Sequence, residues 1–211
     1  LVIGQVENQK FIFFHIWNTA GSSITSELSK YSTTNLGCSF PVKNFGTGED
    51  SWGANINVHS TPDHLLKQSE IPKDTWTFTV VRNPWDWQIS QYFHLKQGGQ
   101  YIPQEVRDWF ADFTEPGDMI RSRYKYWKRS GKGVDNQLDW AHNVDTVFKF
   151  EEINESWNQI LKKLRLPPII LPHKNKHTEK KGYKDYYNDE TIQMIAEIHA
   201  SDIEAFNYKE F

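Results

Sequence analysis

The stretch FIFFHIWNTAGSSITSEL, Phe11 to Leu28, limits the fold more than any other part of the chain. Its apolar, β-rich part runs from Lys10 to Ile16 and reads as a strand. A short polar turn, Trp17 to Gly21, follows, and the pattern from Ser22 to Tyr31 reads as a helix. A strand passing through so short a loop into a helix aims several backbone N–H groups and a helix N-terminus at one spot. Such a spot binds phosphate or sulfate. Gly21 is expected to let the backbone come close to the anion, and the hydroxyls of Thr19, Ser22 and Ser23 to add donors. The lysine-bearing GxxxxGK[ST] loop of ATP-binding proteins is absent. Taken alone, the segment also fits an ordinary β–α turn capped by serine.

The strand-then-helix alternation recurs twice. Thr75 to Val81 is followed by Pro84 to Lys96, which sets Trp85, Ile89, Tyr92 and Phe93 on one face with Pro84 suited to a first turn. Val144 to Phe150 is followed by Glu151 to Leu164, with Ile153, Trp157, Ile160, Leu161 and Leu164 at helical spacing. This order predicts an α/β fold around a parallel sheet. Residues 97–143 are polar, aromatic and broken by Gly98-Gly99, Pro103 and Pro116-Gly117. They read as a mostly helical insertion between the second and third strands. Residues 32–58 read as a long loop. Asn188-Asp189-Glu190 should cap a last helix over Thr191 to about His199, followed by Asp202 to Phe206.

At 211 residues the chain is expected to be one domain, 1–211, with a core of its own. Nine Trp, nine Tyr and 13 Phe must supply much of that core. The single Cys38 can form neither an internal disulfide nor a Cys-based zinc site, and reads as a small apolar residue. The 24 basic and 27 acidic residues leave a net charge of −3, which argues against nucleic acid as a partner. No apolar run reaches membrane-spanning length and no signal peptide is visible, so a soluble, cytoplasmic protein is expected. The average hides a local excess: residues 121–132 hold six basic side chains and no acid. They meet an anionic acceptor or form an exposed helix face.

The segment Phe13 to Ser23, F-F-H-I-W-N-T-A-G-S-S, resembles the 5′-phosphosulfate loop of sulfotransferases that use 3′-phosphoadenosine-5′-phosphosulfate (PAPS). Their carbohydrate and bacterial branches carry F-x-H-I-P-K-T-[AG]-G-[ST]-S there. His15, Ile16, Thr19, Ala20, Gly21, Ser22 and Ser23 match. Trp17 stands where that family has Pro, and Asn18 where it has the Lys that contacts the phosphosulfate. TFTVVRNPWDWQISQYFHL resembles the 3′-phosphate loop through Arg82, Asn83, Pro84, Asp86, Ser90 and Tyr92. VHSTPDHLL resembles a short H-x-T-x-x-x-[LI] element through His59, Thr61, Leu65 and Leu66. Gln137, Trp140, Phe150 and Glu151 fit a scaffold segment. Asn175, Tyr183, Tyr186 and Tyr187 fit the loop before the last helix, and Lys180-Lys181-Gly182 is similar to a basic turn that closes on the 3′-phosphate.

The resemblance implies a three-layer P-loop-like fold with a central parallel sheet flanked by helices. It implies PAPS as sulfuryl donor, 3′,5′-adenosine bisphosphate (PAP) as product, and no metal. Trp17, Asn18, Thr19, Ala20, Gly21, Ser22 and Ser23 would hold the phosphosulfate. Arg82, Ser90, Lys180, Lys181, Gly182 and Tyr183 would hold the rest of the nucleotide. His59 is the implied catalytic base, with His15 its rival. The acceptor would be a hydroxyl or amine of a glycan, an anionic one included, or of a small metabolite. Asn18 can hydrogen-bond a leaving oxygen but brings no charge, a loss of ~3–4 kcal/mol at the transition state. A homologue that binds PAP or PAPS with little or no turnover is therefore the second reading, and a phosphoryl transferase a third.

Overall fold

The computed structural model describes residues 2–30, 59–67, 71, 73–98, 102–131, 135–173 and 181–209. The expected loop 32–58 with Cys38, and Asn175 and Lys180, fall outside the described residues. Chain contacts divide the protein into two compact units, Leu1–Arg82 with Asp139–Asn175, and Asn83–Leu138 with Lys176–Phe211.

The first unit is built on a four-stranded sheet of order β1 (Val2–Val6), β2 (Gln9–Phe14), β3 (Thr75–Val81) and β4 (Thr146–Lys149). β2, β3 and β4 are the three expected strands, and they pair in parallel. β1 was not among them. It pairs antiparallel with β2 through a tight turn at Glu7-Asn8, with Glu7 at φ 50°. The fold is thus α/β with a mostly parallel sheet flanked by helices.

One sheet face carries an aromatic from each parallel strand. Phe78 stacks on Trp76 at 4.4 Å and on Phe13 at 5.0 Å, and Phe148 meets it edge-on at 6.1 Å. Such pairs add about 0.5–1.5 kcal/mol beyond their buried area. α1 (Gly21–Leu28) covers this face with Ile24 and Leu28. The short α2 (Pro62–Leu66) starts at Thr61, whose hydroxyl accepts the His64 N–H at 3.2 Å. On the opposite face Ile12, Phe14, Thr79 and Val81 are also buried.

In the second unit α3 (Pro84–Lys96) starts at Asn83, whose side-chain oxygen accepts the N–H groups of Trp85 and Asp86. Pro84 at the first position loses no bond there. α4 (Gln104–Phe110) and α5 (Pro116–Ser130) lie in the expected helical insertion, as does the short α6 (Leu138–Ala141), whose residues from Asp139 on belong to the first unit. Back in the first unit, a single 3₁₀ turn leads from β4 into α7 (Ile153–Lys163). It buries Trp157, Ile160 and Leu161 against the aromatic face of the sheet, as its spacing predicts. The last helices are α8 (Asp189–Ile198), capped by Asn188 as expected, and α9 (Ala200–Ala205). Trp85, Ile89, Tyr92 and Phe93 of α3 pack with Met119 and Ile120 of α5 and with Ile195 and Ile198 of α8.

Candidate anion-binding and transfer site

The loop between β2 and α1 is held from inside. The Thr19 hydroxyl, fully buried, donates to the Ile16 carbonyl at 2.7 Å. That hydroxyl is a staple of the turn, not the outward donor its sequence position suggests. Asn18 and Ala20 adopt left-handed backbone, with φ of 61° and 67°. Asn tolerates this region better than other residues with a side chain. Asn18 therefore suits the backbone of this turn. The N–H groups of Ser23 and Ile24 both turn back to the Ala20 carbonyl, at 3.0 and 3.1 Å. Gly21 and Ser22 then head α1, where no intrahelical acceptor exists for their N–H groups. Ser22 is exposed and Ser23 buried.

Gly21 has a sharper reason to be glycine than access for an anion. Its backbone is right-handed, and a Cβ built there would fall inside the imidazole ring of His15. That ring is stacked on Phe13 at 5.8 Å and is almost wholly buried. Its Nδ1 has no hydrogen-bond partner among the described residues. Burial holds its pKa well below the usual histidine value, and the nearby His59 adds to this. His15 is thus held in place by its neighbours, and burial favours its neutral form.

His59 stands beside it, with ring centroids 4.9 Å apart. Its Nδ1 lies 3.0 Å from the His15 carbonyl oxygen. A carbonyl only accepts, so Nδ1 bears the proton and the lone pair of the neutral ring is on Nε2. Trp140 donates its indole N–H to the His59 carbonyl at 2.8 Å. Trp17, in place of the family's proline, sets its ring edge-on to both His59 and Trp140 at 5.1 Å. The sequence showed Trp140 only as scaffold, and nothing in its spacing signals the bond to His59.

Arg82 follows the last residue of β3 and is buried. Its Nη1 donates to the Asn18 carbonyl at 2.7 Å, and its guanidinium lies 4.0 Å above the Phe150 ring. The two motifs named by the sequence therefore meet in one place. Lys10 cannot serve this loop: it pairs with Asp74 at 2.8 Å, at the opposite end of β2.

The other named residues belong to the second unit. Ser90 is buried on α3. Lys181 donates its backbone N–H to the Tyr186 hydroxyl at 3.0 Å and lines a cavity of 440 Å³ with Lys96, Tyr92 and Tyr186. Gly182 has ordinary φ of −54° and room for a Cβ, so its turn makes no special use of glycine. Tyr183 packs against the α3–α5–α8 cluster. Among the described residues no group of three or more His, Cys, Asp or Glu side chains could hold a metal, and no helix is long and apolar enough to cross a membrane.

A mostly parallel sheet, with a loop at the carboxyl end of one strand and an arginine at the end of the next, places these residues at the sheet edge where the α/β class of protein binds ligands. The family model described as the Sulfotransferase family matches residues 5–209, so the chain belongs to that family. No curated protein and no solved structure matches it.

Proposed function

We propose that residues 1–211 act as one PAPS-dependent sulfotransferase domain, transferring the sulfuryl group to a hydroxyl or amine of a glycan or small metabolite. The observation that carries this reading is the Arg82 guanidinium bonded to the Asn18 carbonyl. In-line transfer builds negative charge on the leaving oxygen, and fixed positive charge beside that oxygen lowers the barrier. The loop lacks the family's lysine, and Arg82 supplies a cation at the same loop. The N–H groups of Gly21 and Ser22 with the Ser22 hydroxyl hold the phosphosulfate. The resemblance implies Ser90, Lys180, Lys181, Gly182 and Tyr183 for the 3′-phosphate, while the bond to Asn18 ties Arg82 to the phosphosulfate loop. His59 Nε2 takes the acceptor proton as the acceptor oxygen bonds to sulfur, the sulfur–oxygen bond to the phosphate breaks, and PAP leaves. The His15 carbonyl orients that ring and Trp140 fixes the His59 backbone.

The second reading, nucleotide binding without turnover, rests on Asn18 bringing no charge of its own. Calorimetric titration with PAP tests the shared part. We expect binding to the parent protein and about tenfold to a hundredfold weaker binding to Arg82→Ala. No heat with the parent sinks both readings. Transfer from ³⁵S-labelled PAPS to an acceptor panel separates them, with Asn18→Lys as the arm that restores a lost activity.

A further inference from the structure

The basic cluster 121–132 is not a single helix face. Arg121, Lys125 and Lys128 follow each other at i, i+4 and i+7 along α5. Arg121 Nε bonds Glu190 at 3.0 Å and Lys128 Nζ bonds Glu197 at 2.8 Å, both on α8. Lys125 and Arg129 are exposed. Arg123 lies about 200° round the helix from Arg121 and turns inward. Its Nη1 donates to the side-chain oxygens of Gln88 and Gln91 on α3, each at 2.6 Å.

Both acceptors are neutral amides. Among the described residues no carboxylate lies within ion-pair distance of Arg123. Asp135 and Tyr187 are the ionisable groups whose fields reach it, and burial lowers its pKa to about 10. Placing a guanidinium in such surroundings without a counter-charge costs free energy. Nevertheless the fold holds it firmly. Gln88 Nε2 bonds His199 Nε2 at 2.9 Å, which fixes the amide oxygen toward Arg123. The proton of the neutral His199 ring is then on Nδ1, 3.4 Å from Asp202. Asp202 is itself anchored by the backbone N–H groups of Gln137 and Leu138, at 3.0 and 2.9 Å. Gln88, His199 and Asp202 are all buried.

Nη1 has two hydrogens and spends them on the two glutamines. Nε and Nη2 make no hydrogen bond among the described residues, and the residue keeps part of its surface open to solvent. Together Nε and Nη2 form the side-on edge of the guanidinium, whose parallel N–H pair matches two oxygens of a carboxylate, sulfate or phosphate. We propose that Arg123 is an anion-recognition residue, held by Gln88 and Gln91 so that its Nε–Nη2 edge receives an oxyanion of a ligand. The oxyanion comes from the acid group of an acceptor or from a phosphate of the nucleotide.

The test is calorimetric titration at constant ionic strength with sodium sulfate, D-glucuronate and PAP as probes. Parent, Arg123→Gln and Arg123→Lys are compared, the first two probes being run with and without saturating PAP. Sulfate or glucuronate binding that survives PAP and weakens tenfold to a hundredfold in Arg123→Gln supports an acceptor-side oxyanion. Sulfate binding that PAP blocks, with sulfate and PAP both weakened in Arg123→Gln, supports a nucleotide phosphate. Arg123→Lys keeps the charge and serves the two amides but lacks the fork, so it falls between, and it decides the matter if Arg123→Gln does not fold. Unchanged affinity for all three probes in a folded variant, or no binding of any probe to the parent, overturns the proposal. Sulfate and glucuronate read Arg123 even if PAP does not bind, so failure of the sulfotransferase reading is seen separately.

Discussion

Gly21→Ala sets two effects of opposite sign against each other. Gly21 is the first residue of α1 with right-handed backbone, where alanine ordinarily gains about 0.5–1 kcal/mol over glycine. Here the added Cβ falls inside the His15 ring. The ring cannot withdraw easily, since Phe13 stacks on it and His59 stands 4.9 Å away. Overpacking of this kind costs about 1–3 kcal/mol, and at the upper end it exceeds the helix gain by about 2 kcal/mol. For a chain of this length that lowers Tm by roughly 4–8 °C. Scanning calorimetry measures it, and a double-mutant cycle with His15→Ala locates the cause. With the ring gone, Gly21→Ala should turn neutral or stabilising, giving a coupling of about 1–3 kcal/mol. If Gly21→Ala is harmless with His15 present, or equally harmful without it, the steric argument is wrong.

Further outcomes are expected. Asp202→Ala strands the buried Gln137 N–H and the part-buried Leu138 N–H, and should cost about 1–3 kcal/mol for each by urea denaturation; a total loss under about 1 kcal/mol would show that the carboxylate is dispensable. His15 has its folded pKa below its unfolded value of 6.5, so its share of stability is complete above about pH 6.5 and is lost as pH falls through the folded value. Denaturation at pH 7.5 and pH 5 should therefore show a smaller acid loss in His15→Gln than in the parent, and equal losses would contradict this. Glu197, bonded to Lys128 and Tyr124, should titrate at about 2 by NMR, its contribution fading as pH falls from about 4.5 toward that value; Lys128→Ala should move the midpoint up. His59→Gln should cut sulfuryl transfer by about 10²–10⁴-fold with PAP affinity kept, and a parallel loss of PAP affinity would remove His59 from the role of base.

The parallel strands and their helices were readable because their apolar periods are long and their caps conventional, as at Asn83-Pro84 and Asn188. β1 escaped because Gly4 interrupts its alternation and Glu7-Asn8 lacks the Asn-Gly signature of a two-residue hairpin turn. At the site, residue types pointed to the loop and to Arg82, but not to how they engage. Thr19 looks like an anion donor in one dimension, while in three its proton is spent on Ile16. The same limit hid Trp140, whose indole reaches His59 across 81 residues of chain, and Arg123, which sits in a basic stretch whose nearest cations, Arg121 and Lys125, lie on other faces of the helix. Spacing reports which face of a helix a residue occupies, not which distant atom waits there.

The sheet order also sets a timetable for synthesis. β2 pairs with β1 across only a two-residue turn, but its other edge waits for β3, with Lys10 opposite Thr75. At about 5–20 residues per second, a ribosome leaves that edge of β2 unpaired for roughly 3–13 s. The strand exposed meanwhile is Phe11-Ile12-Phe13-Phe14, apolar, uncharged and free of proline, the composition that invites strand-to-strand aggregation. Early shielding by β1 leaves one edge for a chaperone to guard, and a shorter Val2–Val6 strand would leave two.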